Sequence, residues 1–175
     1  MKVIDCFMYF DEDHLLEIRL NTLYEYVERF VIVEANLDHA GNSRKPQFKI
    51  ENFLKFKKKI HYILLENLPT HNNFYKKNWG PAWRRENLQR DSLSKGYIDC
   101  DPNDLIMISD LDEIPNPEKI SQFSDDHKFG CFIQKNFLYK FNLLNIDEPK
   151  WYGTRICRKK DLKNPQWLRE IKAKK

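Results

Sequence analysis

The sequence lacks any hydrophobic run long enough to cross a membrane. Its longest apolar stretches, at 30–33, 60–65 and 105–108, are far shorter than the roughly 20 residues that span a bilayer as a helix. Near the N-terminus Lys2 is the only basic residue, and Asp5 interrupts the first apolar stretch, so this region does not resemble a secretory signal. We therefore predict no transmembrane segment and expect the chain to begin with a β-strand.

Closely spaced cysteines are also absent. Cys6, Cys100, Cys131 and Cys157 are far apart, with neither a CxxC pair nor the Cys/His spacing of a zinc site. The sequence thus gives little support for a disulfide framework or for structural zinc. It predicts four reduced thiols and hence a cytoplasmic protein.

No strong excess of charge of either sign is present. The 30 Lys and Arg residues against 26 Asp and Glu residues give a net charge of +4, spread along the chain. The one basic run, at 55–59, is typical of a solvated helix end. We therefore predict no nucleic-acid partner.

The sequence does contain a regular alternation of strand and helix patterns. With 41% hydrophobic residues in 175, it predicts one domain at 1–171, followed by a basic tail at 172–175 that we expect to fray. Strands are predicted at 3–10, 30–34, 60–65 and 104–109, with 130–133 and 137–141 as a candidate antiparallel edge, and a helix at 82–95 that Gly96 ends. This order predicts an α/β fold with a mostly parallel, doubly wound sheet and flanking helices, whose ligands bind at the carboxyl ends of the strands.

Two carboxylates follow the buried strand at 104–109. Asp110 and Asp112 are separated by one residue, so in extended backbone their side chains point the same way. Neighbouring like charges raise each other's pKa, and a divalent cation removes that cost. The pair therefore predicts a Mg²⁺ or Mn²⁺ site for a nucleotide or nucleotide-sugar. The alternative is an acidic cluster at a helix start before Pro115.

The predicted helix at 82–95 carries a second group of polar residues. Trp83, Asn87 and Arg90 fall on one helix face, and Glu86 flanks it. These side chains suit a ligand-binding face. The alternative is an ordinary amphipathic helix with a Glu86–Arg90 ion pair and Trp83 in the core.

Five blocks of sequence in this order resemble those of a known family. They are 5–10 (DCFMYF) with 15–21 (LLEIRLN), 31–36 (VIVEAN), 83–90 (WRRENLQR), 108–115 (ISDLDEIP) and 151–155 (WYGTR). Together they resemble glycosyltransferase family 17, whose members are related to β-1,4-mannosyl-glycoprotein 4-β-N-acetylglucosaminyltransferase. The resemblance runs from about residue 3 to residue 158. It implies a GT-A-like fold, a divalent cation, a UDP-sugar donor such as UDP-GlcNAc, and a glycan acceptor.

The resemblance also implies roles for the acidic residues. Asp112 would bind the metal directly, Asp110 would reach the ribose or a metal-bound water, and Glu113 would support both. Glu34 and Asn36, after the second strand, would read the base and ribose of the donor. The alternative for Glu34 is an ordinary loop acid.

Further donor-binding residues are expected around these carboxylates. Tyr9 and Phe10, at the end of the first strand, would lie beside the nucleotide. Arg84 and Arg90 would contact the diphosphate or hold the carboxylates in place, because guanidinium groups bind both bidentately. Structural salt bridges are the alternative for both arginines.

The implied reaction is a single displacement that inverts the anomeric carbon. A carboxylate would deprotonate the acceptor hydroxyl while the metal stabilises the departing nucleoside diphosphate. Asp147 and Glu148 are the candidates for that base, since Trp151 and Tyr152 nearby offer rings that stack on a sugar. Core packing is the alternative for the two aromatic residues.

Two departures from the family pattern keep other functions open. Animal members carry an N-terminal membrane anchor, whereas this chain begins at its first strand, which favours a bacterial or viral cytoplasmic enzyme. The family's Gly-Trp-His-Phe-like block does not follow Trp167, so a binding module without catalysis is the first alternative. The second is a Mg²⁺-dependent phosphatase with Asp110 as nucleophile, which Ile114 disfavours because that family expects Thr or Val there.

Overall fold

A six-stranded sheet forms the centre of the protein. The structure is a computed structural model that describes residues 1–69, 80–124, 126–140 and 142–172. The strands are β1 Val3–Met8, β2 Arg29–Ala35, β3 Ile60–Leu65, β4 Leu105–Ser109, β5 Phe129–Lys135 and β6 Lys150–Arg158. The α-helices are α1 Asp13–Leu23, α2 Pro81–Asp91 and α3 Pro165–Glu170. Across the sheet the strand order is β3-β2-β1-β4-β6-β5.

Strands β1 to β4 form the parallel part of the sheet. β1 lies between β2 and β4, and Cys6 at its centre is opposite Val31 on one side and Ile108 on the other. β3 pairs in parallel with β2 at the edge. The short apolar runs of β1, β2 and β4 are buried on both faces, as expected for a covered parallel sheet. The predicted mostly parallel α/β fold is confirmed.

The remaining two strands run antiparallel to this part. β6 pairs with β4, and β5 pairs with β6 at the other edge of the sheet. The predicted strand at 130–133 is the central part of β5. The strand predicted at 137–141 was wrong: Phe137 forms only an isolated bridge with Leu144 in a hairpin loop, and Phe141 lies outside the described residues. Of the basic tail predicted at 172–175, all but Lys172 also lies outside them.

Apolar layers cover both faces of the sheet. On one face α1 packs Leu16, Leu20 and Leu23 against alternate residues of β1, β2 and β4. On the other face Leu93 and Leu168 pack against the intervening residues of the same three strands. Leu93 lies in the 3₁₀ segment Ser92–Tyr97 that continues α2, and Leu168 lies in α3. Within the described residues no helix is long and apolar enough to cross a membrane.

Gly96 lies at a close contact between the 3₁₀ segment and β2. The sequence predicted that Gly96 ends the helix at 82–95. In the structure Gly96 lies inside Ser92–Tyr97 and packs on Val31. A Cβ at position 96 would be 2.2 Å from Cγ1 of Val31. We therefore expect Gly96→Ala to lower the free energy of unfolding by about 1–3 kcal/mol through overpacking, measured by urea denaturation. Gly80→Ala is the control, since no described residue beyond its chain neighbours lies within 4 Å of its Cβ position. Equal losses for both variants would contradict the overpacking argument.

Candidate active site

The acidic residues form a tight turn directly after β4. The backbone N–H of Glu113 donates to the carbonyl oxygen of Asp110 (3.1 Å). In return the backbone N–H of Asp110 donates to Oε2 of Glu113 (3.0 Å). These two hydrogen bonds fix the backbone of residues 110–113 at the carboxyl end of the parallel strands, where ligands of such sheets bind.

A buried ion pair between α1 and β1 supports this turn. Arg19 of α1 binds Asp5 of β1 with two hydrogen bonds, Nε to Oδ2 at 2.8 Å and Nη2 to Oδ1 at 2.7 Å, and both side chains are fully buried. Nη1 of the same guanidinium donates to the carbonyl oxygens of Asp110 (3.1 Å) and Leu111 (3.0 Å). Arg19 thus connects the core of the sheet to the turn that carries both aspartates.

Two arginines bind the Asp110 carboxylate. Nη2 of Arg90, on α2, lies 3.0 Å from Oδ1, and Nη2 of Arg169, on α3, lies 2.9 Å from Oδ2. Burial acts to raise the pKa of Asp110, but the two guanidinium charges outweigh it and hold this pKa below its ordinary value. Asp110 is therefore ionised, and both of its oxygens already have a cationic partner.

Glu113 is held by the neighbouring strand and helix. Its carboxylate is buried, with Oε1 accepting hydrogen bonds from Nε1 of Trp151 (2.6 Å) and from Arg169 (2.5 Å). The hydroxyl of Thr154 donates to the backbone carbonyl oxygen of Glu113 (2.6 Å). Glu113 therefore links the turn to β6 and α3.

Arg169→Met removes one cation from both Asp110 and Glu113. Because Glu113 is buried, we expect the free energy of unfolding to fall by about 1–3 kcal/mol, measured by urea denaturation. Arg169→Lys keeps the charge without the two-armed geometry and should lose less. A loss of the same size on Lys160→Met, whose amine donates to the exposed Asn103, would argue against a specific role.

Asp112 differs from the two other acids of the turn. Its side chain is exposed, and no other described residue donates a hydrogen bond to its carboxylate or forms an ion pair with it. Partial desolvation and the charge of Asp110 raise the pKa of Asp112 above its ordinary value. The turn therefore presents one unpaired carboxylate whose ionised form would gain from a nearby cation.

A cavity of about 480 Å³ adjoins this turn on the β1 side. It brings together five residues predicted from the sequence: Tyr9, Phe10, Arg90, Asp110 and Asp112. The cavity also contains four polar side chains that the sequence analysis did not assign to donor binding, namely Glu12, His39, Glu86 and Gln89. Its size suits a small-molecule ligand.

A second cavity, of about 670 Å³, lies on the β6 side of the turn. It is lined by Asp112, Glu113 and Trp151, and also by Lys135 and Tyr139. Of the residues that the structure describes, Asp112 alone lines both cavities. The unpaired carboxylate therefore stands between two ligand-sized spaces.

Comparison with known proteins identifies the family of this chain. A family model described as glycosyltransferase family 17 matches residues 1–164. The chain belongs to glycosyltransferase family 17. It is also 29% identical over 119 residues to the β-1,4-mannosyl-glycoprotein 4-β-N-acetylglucosaminyltransferases of Homo sapiens and Rattus norvegicus. Each alignment covers 65% of this chain and 22% of the relative, so the chain spans less than a quarter of the length of these relatives.

In this family 17 chain, the Glu34 side chain makes its contacts inside the protein. The carboxylate is fully buried and accepts hydrogen bonds from Arg44 (2.8 Å), the hydroxyl of Tyr62 (2.9 Å) and the backbone N–H groups of Gln47 and Phe48. Arg44 in turn lies over the ring of Phe10, 3.9 Å from its centre. Glu34 thus positions the cavity wall through Arg44, and its carboxylate has no open oxygen to offer a nucleotide.

The other predicted donor residues differ in their placement. The side-chain oxygen of Asn36 is buried and accepts no hydrogen bond from the described residues, but Asn36 does not line either cavity. Arg84 is exposed on α2 and also lies outside both linings. Tyr9 is almost fully buried, and its hydroxyl donates to Asp13 (2.5 Å).

The predicted catalytic and acceptor residues are only partly brought together. Trp151 is 45% exposed and lines the second cavity. Tyr152 is next in the strand and therefore points to the opposite face of the sheet. Asp147 and Glu148 are exposed and line neither cavity, and Asn145 binds their backbone N–H groups.

The carboxylates of the turn fit a divalent cation that is held jointly by the protein and by the phosphates of a bound substrate. Among the described residues, no group of three or more His, Cys, Asp and Glu side chains is arranged to hold a metal ion alone. Mg²⁺ and similar ions, however, commonly bind through one or two carboxylates plus substrate phosphates. The unpaired carboxylate of Asp112 beside the ionised Asp110 is such a donor set.

Proposed function

We propose that this protein is a metal-dependent, inverting glycosyltransferase that moves GlcNAc from UDP-GlcNAc to a glycan acceptor. Membership of family 17 and the activity for which its human and rat relatives are named support the transfer of this sugar. The observation that carries the proposal is the unpaired carboxylate of Asp112 between two cavities. The cavity of about 480 Å³ on the β1 side would hold the donor, and the cavity of about 670 Å³ on the β6 side would hold the acceptor.

The charge of the site supports a divalent cation. The ion-paired cluster contains the guanidinium groups of Arg90 and Arg169 and three carboxylates, those of Glu86, Asp110 and Glu113, and the carboxylate of Asp112 adds a fourth beside it. This leaves an excess of two negative charges when all are ionised. Asp112 would hold Mn²⁺ or Mg²⁺, with Asp110 nearby, and the bound ion would neutralise the charge that develops on the departing diphosphate.

The chain's own residues would position the donor around that ion. Arg90 is buried and fixed by Glu86 (2.8 Å) and Gln166 (2.5 Å), so its guanidinium stays in one orientation in the donor cavity. Phe10 is 46% exposed and braced by Arg44, which makes its ring a flat surface for the nucleotide base. His39 and Gln89, joined at 3.1 Å, complete the polar wall.

On the acceptor side, Trp151 would stack against a sugar ring. Its indole N–H is tied to Glu113, so the ring orientation is set by the same turn that carries Asp112. The base that deprotonates the acceptor hydroxyl has to lie near this cavity. We propose Asp147 and Glu148 for that role only with a movement of their loop, because in this structure neither lines the cavity.

Thermal unfolding with nucleotides tests this proposal. UDP, GDP, CMP and ADP would each be added with and without Mn²⁺, and a ligand at 100 times its Kd should add roughly 2.7 kcal/mol of stability. We expect the Tm to rise by a few degrees only when UDP and Mn²⁺ are both present. Donor hydrolysis and transfer assays with UDP-GlcNAc would follow. Stabilisation without any hydrolysis or transfer would favour a binding module, and no shift with any nucleotide would refute the donor site.

The geometry disfavours the phosphatase alternative. A nucleophilic Asp110 would need an open carboxylate oxygen, but Arg90 and Arg169 bind one oxygen each. The lowered pKa of Asp110 further reduces its nucleophilicity. Asp110 is better suited to hold two guanidinium groups in place.

A further inference from the structure

The loop between β5 and β6 carries an unusual concentration of exposed apolar side chains. Eight of the sixteen exposed large hydrophobic residues described in the structure lie between positions 133 and 151. They include Leu138, Tyr139, Leu143, Leu144 and Ile146, of which Tyr139 is 99% and Ile146 85% exposed. Contiguous exposed apolar residues mark interaction sites more often than scattered ones do. We call the described residues 136–140 and 142–149 the apolar loop.

Backbone hydrogen bonds join the two sides of the apolar loop. Its backbone forms a hairpin, in which Leu138 donates to the carbonyl oxygen of Leu143 (2.8 Å) and Asn145 donates to that of Asn136 (2.8 Å). Tyr139 at the tip has a left-handed backbone (φ 63°), which is uncommon for a large side chain. The apolar residues therefore lie exposed along a hairpin, a shape that suits insertion into a bilayer surface better than docking of a helix into a groove.

Unpaired lysines lie at the base of the apolar loop. Lys135 at the end of β5 is directly opposite Lys150 at the start of β6. Both are exposed, and no described residue forms an ion pair or hydrogen bond with either amine. Like charges directly opposite on adjacent strands repel each other, so an anionic partner would relieve this repulsion. Lys140 adds a third cation near the tip, so three lysines outnumber the two exposed carboxylates of the loop, those of Asp147 and Glu148.

We propose that the apolar loop binds an anionic phospholipid surface, with its apolar tip among the acyl chains and Lys135, Lys140 and Lys150 against the headgroups. Exposed apolar residues together with lysines are the combination by which peripheral proteins attach to such surfaces. The second cavity opens beside this loop, since Lys135, Tyr139 and Lys140 line it together with Asp112. An acceptor glycan carried on a lipid of the same surface would thus reach the site. This inference about the acceptor rests on the proposed function, whereas the lipid contact does not.

Flotation of the full chain with vesicles tests the proposal. We expect the protein to float with vesicles of phosphatidylcholine and phosphatidylglycerol, and much less with phosphatidylcholine alone. Leu138→Ser and Ile146→Ser should each weaken vesicle binding by about tenfold, because each removes an exposed apolar side chain from the apolar loop. Lys150→Ser should weaken it by about fivefold, and added salt should weaken it further.

Matched substitutions elsewhere on the surface are the controls. Leu54 and Ile98 are exposed to 63% and 71%, and Lys57 is an exposed lysine of the basic run at 55–59. Leu54→Ser, Ile98→Ser and Lys57→Ser should leave flotation unchanged. Equal losses in the two sets, or no flotation with either vesicle, would overturn the proposal. A dimer in solution that Leu138→Ser abolishes, without vesicle binding, would also overturn it and assign the surface to a second copy.

Loss of vesicle binding by the apolar loop can be distinguished from loss of nucleotide binding at the donor site. None of Leu138, Ile146 and Lys150 lines the cavities around Asp112. The Tm rise with UDP and Mn²⁺ should therefore be the same in these variants as in the unmodified protein. Lost flotation with an intact nucleotide response supports the lipid surface, whereas flotation without any nucleotide response refutes the proposed function alone.

Discussion

Asp112→Asn is expected to abolish sugar transfer while leaving the protein folded. The carboxylate is exposed and unpaired among the described residues, so its removal breaks no internal contact, and relief from the charge of Asp110 offsets any lost solvation. If Asp112 holds the cation, the variant loses the charge stabilisation of the leaving diphosphate, which should lower kcat by about 10³-fold or more. The Tm rise with UDP and Mn²⁺ should disappear, while the Tm of the free protein stays within about 2 °C.

The control for this experiment is an exposed aspartate outside the site. Asp126→Asn removes the same charge from the surface and should change neither kcat nor the nucleotide response. Asp110→Asn should behave differently from both, because it leaves Arg90 and Arg169 without their shared partner and so lowers the Tm of the free protein. Retention of the metal-dependent Tm shift in Asp112→Asn would contradict the assignment of the cation to Asp112.

The parallel part of the sheet could be predicted from the sequence because it depends on local patterns. The runs at 30–34, 60–65 and 104–109 are short, apolar and followed by polar residues, and each forms the expected strand. Their carboxyl ends meet at one edge of a parallel sheet, so Tyr9, Phe10, Asp110 and Asp112 could be placed together without coordinates.

β6 and α3 were not predicted, for two physical reasons. β6 begins with exposed residues and contains Gly153, and both features weaken the strand pattern in the sequence. Its arginines Arg155 and Arg158 are buried, although arginine is typical of a protein surface. α3 has only six residues and is stabilised by packing rather than by helix propensity. Arg169, which lies on α3, therefore could not be assigned to Asp110 from the sequence.

Long-range polar contacts also escaped prediction in the candidate site. His39 enters the donor cavity from the loop after β2, and it is bound there by Gln89, fifty positions further along the chain. Glu34 was predicted to touch the nucleotide, but the structure buries it against Arg44 and Tyr62. The residue types were informative in both cases. The direction in which each side chain points depends on loop conformations that no periodicity encodes.

Arg19→Met is expected to destabilise the protein more than either Gly96→Ala or Arg169→Met. It leaves the fully buried Asp5 without its cation and removes the donors to the carbonyl groups of Asp110 and Leu111. Loss of one partner of a buried ion pair costs about 3–5 kcal/mol, which corresponds to a fall in Tm of roughly 10 °C for a chain of this size. Urea denaturation measures the first quantity and calorimetry the second.

The comparison with an exposed ion pair shows why burial decides this result. Arg29 forms an equally bidentate pair with Asp99, but the Asp99 side chain is 68% exposed, so Arg29→Met should cost only about 1 kcal/mol or less. In the double variant Arg19→Met/Asp5→Leu no buried charge remains, and part of the lost stability should return. The double variant should nevertheless respond poorly to UDP and Mn²⁺, since the turn has lost its support. Recovery of both stability and nucleotide response would mean that Arg19 serves the core alone and does not position Asp112.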